Sequence, residues 1–173
     1  NTNAQIMAWF MDTYSMHKGY SGPAIVTGKP ISIGGSEGRF EATGIGVAIT
    51  IREAATRLGT PLQNARVAVQ GFGNVGSVAA LYLQNLGCRV IAVSDSQGGV
   101  FSGDGLDIRE AMRYKEAQGQ LDGFAERISN ADLLELPCDV LVPAAMEDQI
   151  TAENAPRINT KLLLEGAHSV CLF

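Results

Sequence analysis

Six consecutive residues, Gly71-Phe72-Gly73-Asn74-Val75-Gly76, followed by an acid at Asp95, carry the most specific chemistry in this 173-residue sequence. The GxGxxG spacing suits a pyrophosphate. Gly71 allows a tight turn out of a strand, Gly73 lacks the Cβ that would keep a phosphate off the backbone, and Gly76 lets a helix pack closely on the strand before it. A helix starting here offers unpaired N–H donors and the positive end of its dipole. A Gly-rich chain produces such a string by accident, so its context decides its weight. It directly follows the apolar run Val67-Ala68-Val69-Gln70 and opens a helical pattern over 75–86. Asp95 lies 19 residues beyond Gly76, at the end of a second apolar run. A carboxylate there accepts hydrogen bonds from an adenosine ribose and repels a 2′-phosphate. That favours NAD as cofactor, while the neutral Ser94, Ser96 and Gln97 around it leave NADP open. The alternative is a βα turn whose glycines serve packing alone, with Asp95 capping a turn.

The pair Gly28-Lys29 hints at a triphosphate loop. Five residues separate it from Gly22 where the motif needs four, and Pro30 stands where a Ser or Thr would hold Mg²⁺, so that reading is rejected. In the stretch from Gly34-Gly35-Ser36 to Gly44-Ile45-Gly46-Val47, three residues stand at the mouth of a helix: Arg39, Glu41 and Thr43. Arg39 suits a substrate carboxylate and the Thr43 hydroxyl suits a cofactor amide. Equally, Glu41 and Thr43 are helix caps and Arg39 is solvated surface.

Positioning these groups requires alternating strands and helices, and the apolar spacing supplies them. Ile6, Met7, Phe10, Met11 and Tyr14 mark a helix over 3–16, with Thr2 or Asn3 as its cap. Residues 19–38 hold repeated Gly and Pro and read as an ordered loop with one short extended piece. Val47, Ala48, Ile51, Ala54, Ala55 and Leu58 mark a helix over 43–58 that Gly59 ends. Short apolar strands at 66–70, 89–93, 139–142 and 161–164 then alternate with helices at 74–86 and 108–117. The expected fold class is α/β, a Rossmann-type doubly wound, mainly parallel sheet with helices on both faces.

Composition narrows the partners. Lys+Arg number 13 against 18 Asp+Glu, a net charge of −5, and no block of like charges stands anywhere. A nucleic-acid protein would carry a concentrated basic patch. No apolar run approaches the ~18 residues of a membrane span, and nothing resembles a signal peptide. The expectation is a cytoplasmic protein with neither nucleic acid nor membrane as partner. Gly 20 against Pro 6 points to tight turns between packed elements. Cys88, Cys138 and Cys171 are an odd number without CxxC spacing, so neither a disulfide framework nor a metal site is expected. The chain opens on Asn1, which raises the expectation that it is a piece of something longer.

Several segments together resemble glutamate dehydrogenase, of the glutamate/leucine/phenylalanine/valine dehydrogenase family. They are Asn1-Thr2-Asn3-Ala4-Gln5-Ile6-Met7-Ala8-Trp9, Thr27-Gly28-Lys29-Pro30, Gly34-Gly35-Ser36 through Arg39 to Ala42-Thr43-Gly44, and Gln70 to Gly76. Ser94-Asp95-Ser96 with Gly98-Gly99, and Pro143-Ala144-Ala145, belong to the same set. The resemblance spans residues 1 to about 167. It implies oxidative deamination of L-glutamate to 2-oxoglutarate and ammonia, hydride passing to NAD(P), by an enzyme that assembles as a homo-oligomer. It also implies site roles. Thr43 is similar to the residue that bonds the nicotinamide carboxamide, Gly71, Phe72, Gly73, Asn74, Val75 and Gly76 match the pyrophosphate loop, and Asp95 matches the ribose acid. Ala144 and Ala145 match the loop bordering the nicotinamide, unless small residues merely end a strand there. Arg39 matches a position near the substrate.

The resemblance breaks at both ends. The family's substrate lysines and proton-transfer aspartate fall before Asn1, so no catalytic residue is assigned within this chain, and this chain alone is expected to be inactive. After Glu165-Gly166-Ala167, His168 stands where the family has an Asn, and Ser169-Val170-Cys171-Leu172-Phe173 resembles nothing in it. His17, His168 and Cys171 read as solvated residues. The division expected is 1–60 for the N-terminal helices and Gly-rich loop packing on the nucleotide domain, 61–167 for the dinucleotide core and 168–173 for an atypical tail. The alternatives are a truncated, non-catalytic module binding a dinucleotide or a protein, and a leucine, phenylalanine or valine dehydrogenase fragment.

Overall fold

The computed structural model describes residues 3–167; Thr2, His168 and Cys171, singled out above, lie outside them. The chain divides into two compact units, the first ending at Ala42 and the second beginning at Thr43.

The first unit opens with α1 (Ala4–Lys18). Asn3 caps it by accepting from the Ile6 N–H at 3.0 Å. Gly19, left-handed at φ 74°, ends it two residues later than the apolar spacing indicates, so His17 is an exposed residue of its last turn. No residue of α1 is buried within this unit. The extended piece expected between 19 and 38 is absent. Two single 3-10 turns stand there instead, Pro23–Ile25 and Ile31–Ile33. Pro23 starts the first, and Gly34 at φ 89° closes the second. The local turn geometry of these prolines and glycines outweighs any extended tendency of the apolar residues between them.

The second unit is a six-stranded sheet in the order β4-β3-β2-β1-β5-β6. Its elements are α2 (Ala42–Leu58), β1 (Arg66–Gln70), α3 (Asn74–Asn85), β2 (Arg89–Asp95) and β3 (Gly98–Phe101), then α4 (Ile108–Gln118), β4 (Glu126–Ile128), α5 (Asn130–Glu135), β5 (Val140–Pro143) and β6 (Leu162–Leu163). β2, β1, β5 and β6 run parallel, while β3 and β4 extend the sheet antiparallel beyond β2. Alternate strand residues feed two apolar clusters. Val67, Val69, Val140 and Val142 join α2, α3 and α4 on one side, and Ala68, Ala92 and Leu141 join Leu133 and Leu134 of α5 on the other. Burial on both faces is why these strands read as unbroken apolar runs.

The sheet is mixed because of a tight hairpin. β2 runs on to Asp95, two residues past the expected end, and pairs Asp95 with Gly98 across Ser96-Gln97. The Asp95 carboxylate organises this turn by accepting from the Gln97 N–H at 2.9 Å. At the opposite end of the strands, Asp139 accepts from the Arg66 N–H at 2.8 Å and pairs with Lys161 at 2.7 Å. That one carboxylate links β1, β5 and the approach to β6.

Candidate dinucleotide site at the carboxyl edge of the sheet

β1 lies between β2, which follows it in sequence, and β5, which comes from much later in the chain. The order of the parallel strands therefore reverses at β1, so the carboxyl ends of β1 and β5 border the switch-point crevice of an open α/β sheet. Open α/β sheets bind ligands at such a switch point. The GxGxxG loop is the connection from β1 to α3, so the fold delivers it to this crevice.

Each glycine of the loop meets a different constraint. Gly71 is left-handed at φ 94°. A Cβ on it would lie 2.5 Å from the Ala144 carbonyl oxygen and 2.8 Å from the Ala145 nitrogen. The two loops are thus in backbone contact across the crevice, and the Ala144 N–H donates to the Gln70 carbonyl at 2.7 Å. Gly76 is pinned from below, since a Cβ there would overlap the Gly71 carbonyl oxygen. Gly73 differs from both. It has ordinary φ −94° and ψ −160°, and a Cβ added to it would meet nothing within 4 Å. Its missing side chain leaves open space above the backbone.

Gly73 is also the residue preceding α3, so no side chain caps the helix, and no acid stands in its first turn. The first helical bond runs from the Ser77 N–H to the Gly73 carbonyl at 2.9 Å. The N–H groups ahead of it are those a helix leaves for an outside acceptor. Asn74 is exposed and Val75 half-buried, whereas the Phe72 side chain belongs to the core, leaving only its backbone to serve the loop. These features fit an anionic, phosphate-bridged group.

Two further segments converge here. Helix α2 crosses α3 at Gly44, where a Cβ would stand 2.7 Å from the Val75 carbonyl oxygen and 2.7 Å from the Val78 Cβ. This close crossing sets Thr43, exposed in the first turn of α2, beside the start of α3. Gly166, past β6, donates to the Pro143 carbonyl at 2.7 Å. A Cβ on it would lie 3.2 Å from both the Ala144 Cβ and a Val75 methyl. Thr43, the glycine loop and Ala144–Ala145 are therefore brought together. Arg39 belongs to the first unit, where it is an exposed residue of a turn.

Asp95 ends β2, next to the glycine loop in the sheet. Its side chain is only 10% exposed and both its oxygens are engaged. Oδ2 pairs with Lys115 Nζ at 3.0 Å, and Oδ1 takes the Gln97 N–H. Lys115, from α4, also donates to the Phe72 carbonyl at 3.1 Å. Sequence reasoning missed this lysine because nothing local links it to an acid twenty residues earlier. It missed Gln70 as well, which is 2% exposed and donates through Nε2 to Gln149 Oε1 at 2.7 Å, tying β1 to the segment after Ala145. Gly44 carried a signal that went unused, since a glycine inside a helical pattern marks a close approach.

Comparison with known proteins identifies the fold that builds this crevice. The family model for Glutamate/Leucine/Phenylalanine/Valine dehydrogenase matches residues 34–171. The chain belongs to that family. Within it, glutamate dehydrogenase from Thermotoga maritima is 53% identical over 171 residues, covering 97% of this chain and 41% of the relative. The catabolic NAD-specific glutamate dehydrogenase RocG of Bacillus subtilis is 46% identical, covering 96% of this chain and 40% of the relative. Among solved structures, hetero-hexameric glutamate dehydrogenase from Thermus thermophilus in its Leu-bound form superposes with a TM-score of 0.89 at 40% identity, covering 96% of this chain and 40% of that one. The chain thus spans about two fifths of the length of the family members it matches. Nicotinamide dinucleotides are this dehydrogenase family's cofactors. Among the described residues, no helix is long and apolar enough to cross a membrane.

Proposed function

We propose that this chain is the nicotinamide-dinucleotide-binding part of a cytoplasmic, homo-oligomeric amino-acid dehydrogenase. The reaction is oxidative deamination of L-glutamate to 2-oxoglutarate and ammonia, with NAD as hydride acceptor. The observation that carries the reading is the open backbone at Gly73, at the uncapped start of α3 and in the crevice between β1 and β5. The pyrophosphate sits on the N–H groups of Gly73, Asn74, Val75 and Gly76. Gly71 turns the chain beneath it, and Phe72 anchors the loop through its core side chain. Asp95 takes the adenosine ribose, and Thr43 with Ala144 and Ala145 border the nicotinamide. The bound cofactor supplies the hydride acceptor; the chain orients it and keeps its phosphates on fixed donors. Arg39 serves the substrate carboxylate. No acid of this chain is assigned to proton transfer. The glutamate assignment is supported by the names of the relatives above 45% identity.

Titration of the chain with NADH, read by the cofactor's fluorescence, tests the reading. Saturable binding is expected, and no binding at millimolar NADH overturns it. Asp95→Ser is expected to shift the NADH:NADPH affinity ratio toward NADPH; an unchanged ratio removes Asp95 from the ribose site. Robust glutamate turnover by the chain alone would show that proton-transfer groups within it were overlooked.

A further inference from the structure

We propose that Gln149 is a positioning residue. Its amide, paired with the buried amide of Gln70, latches the loop after β5 in the conformation that receives the nicotinamide end of the cofactor. The proposal rests on the dinucleotide reading above and adds the two side chains that hold one wall of its crevice in place.

The loop needs such a hold. It leaves β5 after Pro143 and returns to the core at Ile150, which is 3% exposed. Between them Ala145, Met146, Glu147 and Asp148 are all exposed and belong to no helix or strand. Backbone contact with Gly71 and Gln70 fixes the near end alone, at Ala144. Asp148 kinks the chain, left-handed at φ 56°, a region that few residues besides Gly, Asn and Asp enter. Gln149 follows the kink back to β1. Its Oε1 accepts from Gln70 Nε2 at 2.7 Å, its Nε2 donates to the Glu147 carbonyl at 3.1 Å, and its own carbonyl accepts from Asn154 Nδ2 at 2.8 Å. One side chain thus ties the exposed span to the strand that leads into the glycine loop.

Gln70 makes the latch hard to open. It is 2% exposed, and its Oε1 has no partner among the described residues. Loss of Gln149 leaves both ends of a buried amide unpaired, which costs more than an ordinary hydrogen bond contributes. Gln70 shares a face of β1 with Ala68, which packs against Leu133 and Leu134 of α5. An apolar side chain at 70 therefore suits its surroundings and removes the latch without leaving an orphaned amide.

An unlatched loop has to be ordered by the ligand as it binds. Fixing the backbone of a single residue at that moment costs about tenfold in affinity. Only a ligand that reaches this loop bears the cost.

The experiment titrates NADH and ADP-ribose, which keeps the pyrophosphate but lacks the nicotinamide, into the chain, Gln149→Ala and Gln70→Leu by calorimetry. Urea midpoints of all three are measured alongside. In both variants NADH affinity should fall about tenfold or more, while ADP-ribose stays within about twofold of the parent. Gln149→Ala should lower the urea midpoint, and Gln70→Leu should keep or raise it, so that binding and stability part company. Equal losses of NADH and ADP-ribose would make the pair merely structural and overturn the proposal. NADH affinity unchanged in either folded variant would overturn it too. A parent chain that binds neither ligand overturns the dinucleotide reading itself. Should Gln149→Ala fail to fold, Gln70→Leu is read by the same outcomes.

Discussion

Gly73 and Gly76 stand three residues apart in one motif, yet the structure assigns them opposite sensitivities. In Gly76→Ala the new methyl overlaps the Gly71 carbonyl oxygen and lies 2.9 Å from its carbon. Both are backbone atoms at the end of β1, so no rotamer change relieves the clash and α3 must shift off the sheet. Overpacking of this kind costs about 1–3 kcal/mol, and a rigid backbone neighbour puts this site near the upper end. Replacing Gly by Ala inside a helix returns about 1 kcal/mol. The net loss is therefore about 2 kcal/mol, or roughly 4–8 °C in Tm for a chain of this size. In Gly73→Ala the methyl meets nothing within 4 Å and the backbone is already in an ordinary region. Ala is a poorer N-cap by about 0.5–1 kcal/mol, and the stiffer unfolded chain offsets a similar amount. Stability should stay within about 0.5 kcal/mol of the parent, the usual range for a substitution that touches nothing. The same methyl occupies the space a pyrophosphate needs, so NADH affinity should fall about tenfold or more, the equivalent of one lost charge-assisted contact. Urea unfolding by circular dichroism and NADH titration of both variants check the pair. A Gly73→Ala chain that unfolds early, or one that binds NADH as the parent does, would refute the division of roles.

Two further outcomes follow from titratable groups away from the crevice. The Lys161 ammonium, with the Arg66 N–H, holds the Asp139 carboxyl below its ordinary value. A depressed folded value contributes stability above the unfolded pKa, near ~4, that is lost as pH falls through the folded value. Urea midpoints measured from pH 6 down to pH 3 should drop in the parent chain and drop less in Asp139→Asn; equal slopes would remove this carboxylate from the acid response. Burial, with a smaller push from Asp139, raises the Cys88 thiol to about 11. In a Cys138→Ser, Cys171→Ser background, a thiol reagent at pH 8 should label Cys88 only after unfolding. Fast labelling of the native chain would contradict that burial.

The site residues divide by how far their reasons reach. Gly71 and Gly76 were legible because turning out of a strand and packing a helix back on it involve neighbours a few residues away. The helices over α1, α2, α3 and α4 were legible for the same reason, their apolar faces and terminal glycines being local patterns. β3, β4 and α5 were not. At four, three and six residues, they are too short to show a period. β3 depends on an Asp95 side chain that folds the turn beneath it. The loop after α1 was legible from its prolines and glycines, but the short extended piece expected within it was not there, because those residues close two 3-10 turns instead.

By itself, the sequence determined the strand–glycine–helix unit, the acid at the end of β2 and the alternation that makes a parallel sheet, since each depends on backbone preferences within one or two elements. Only the tertiary structure decided which loops face each other. The order of strands sets Ala144 against Gly71 across 73 residues of sequence, and the packing of α4 sets Lys115 on Asp95. Those contacts arise from which strand lies beside which, a choice made by burying two faces of the whole sheet at once and written in no local spacing.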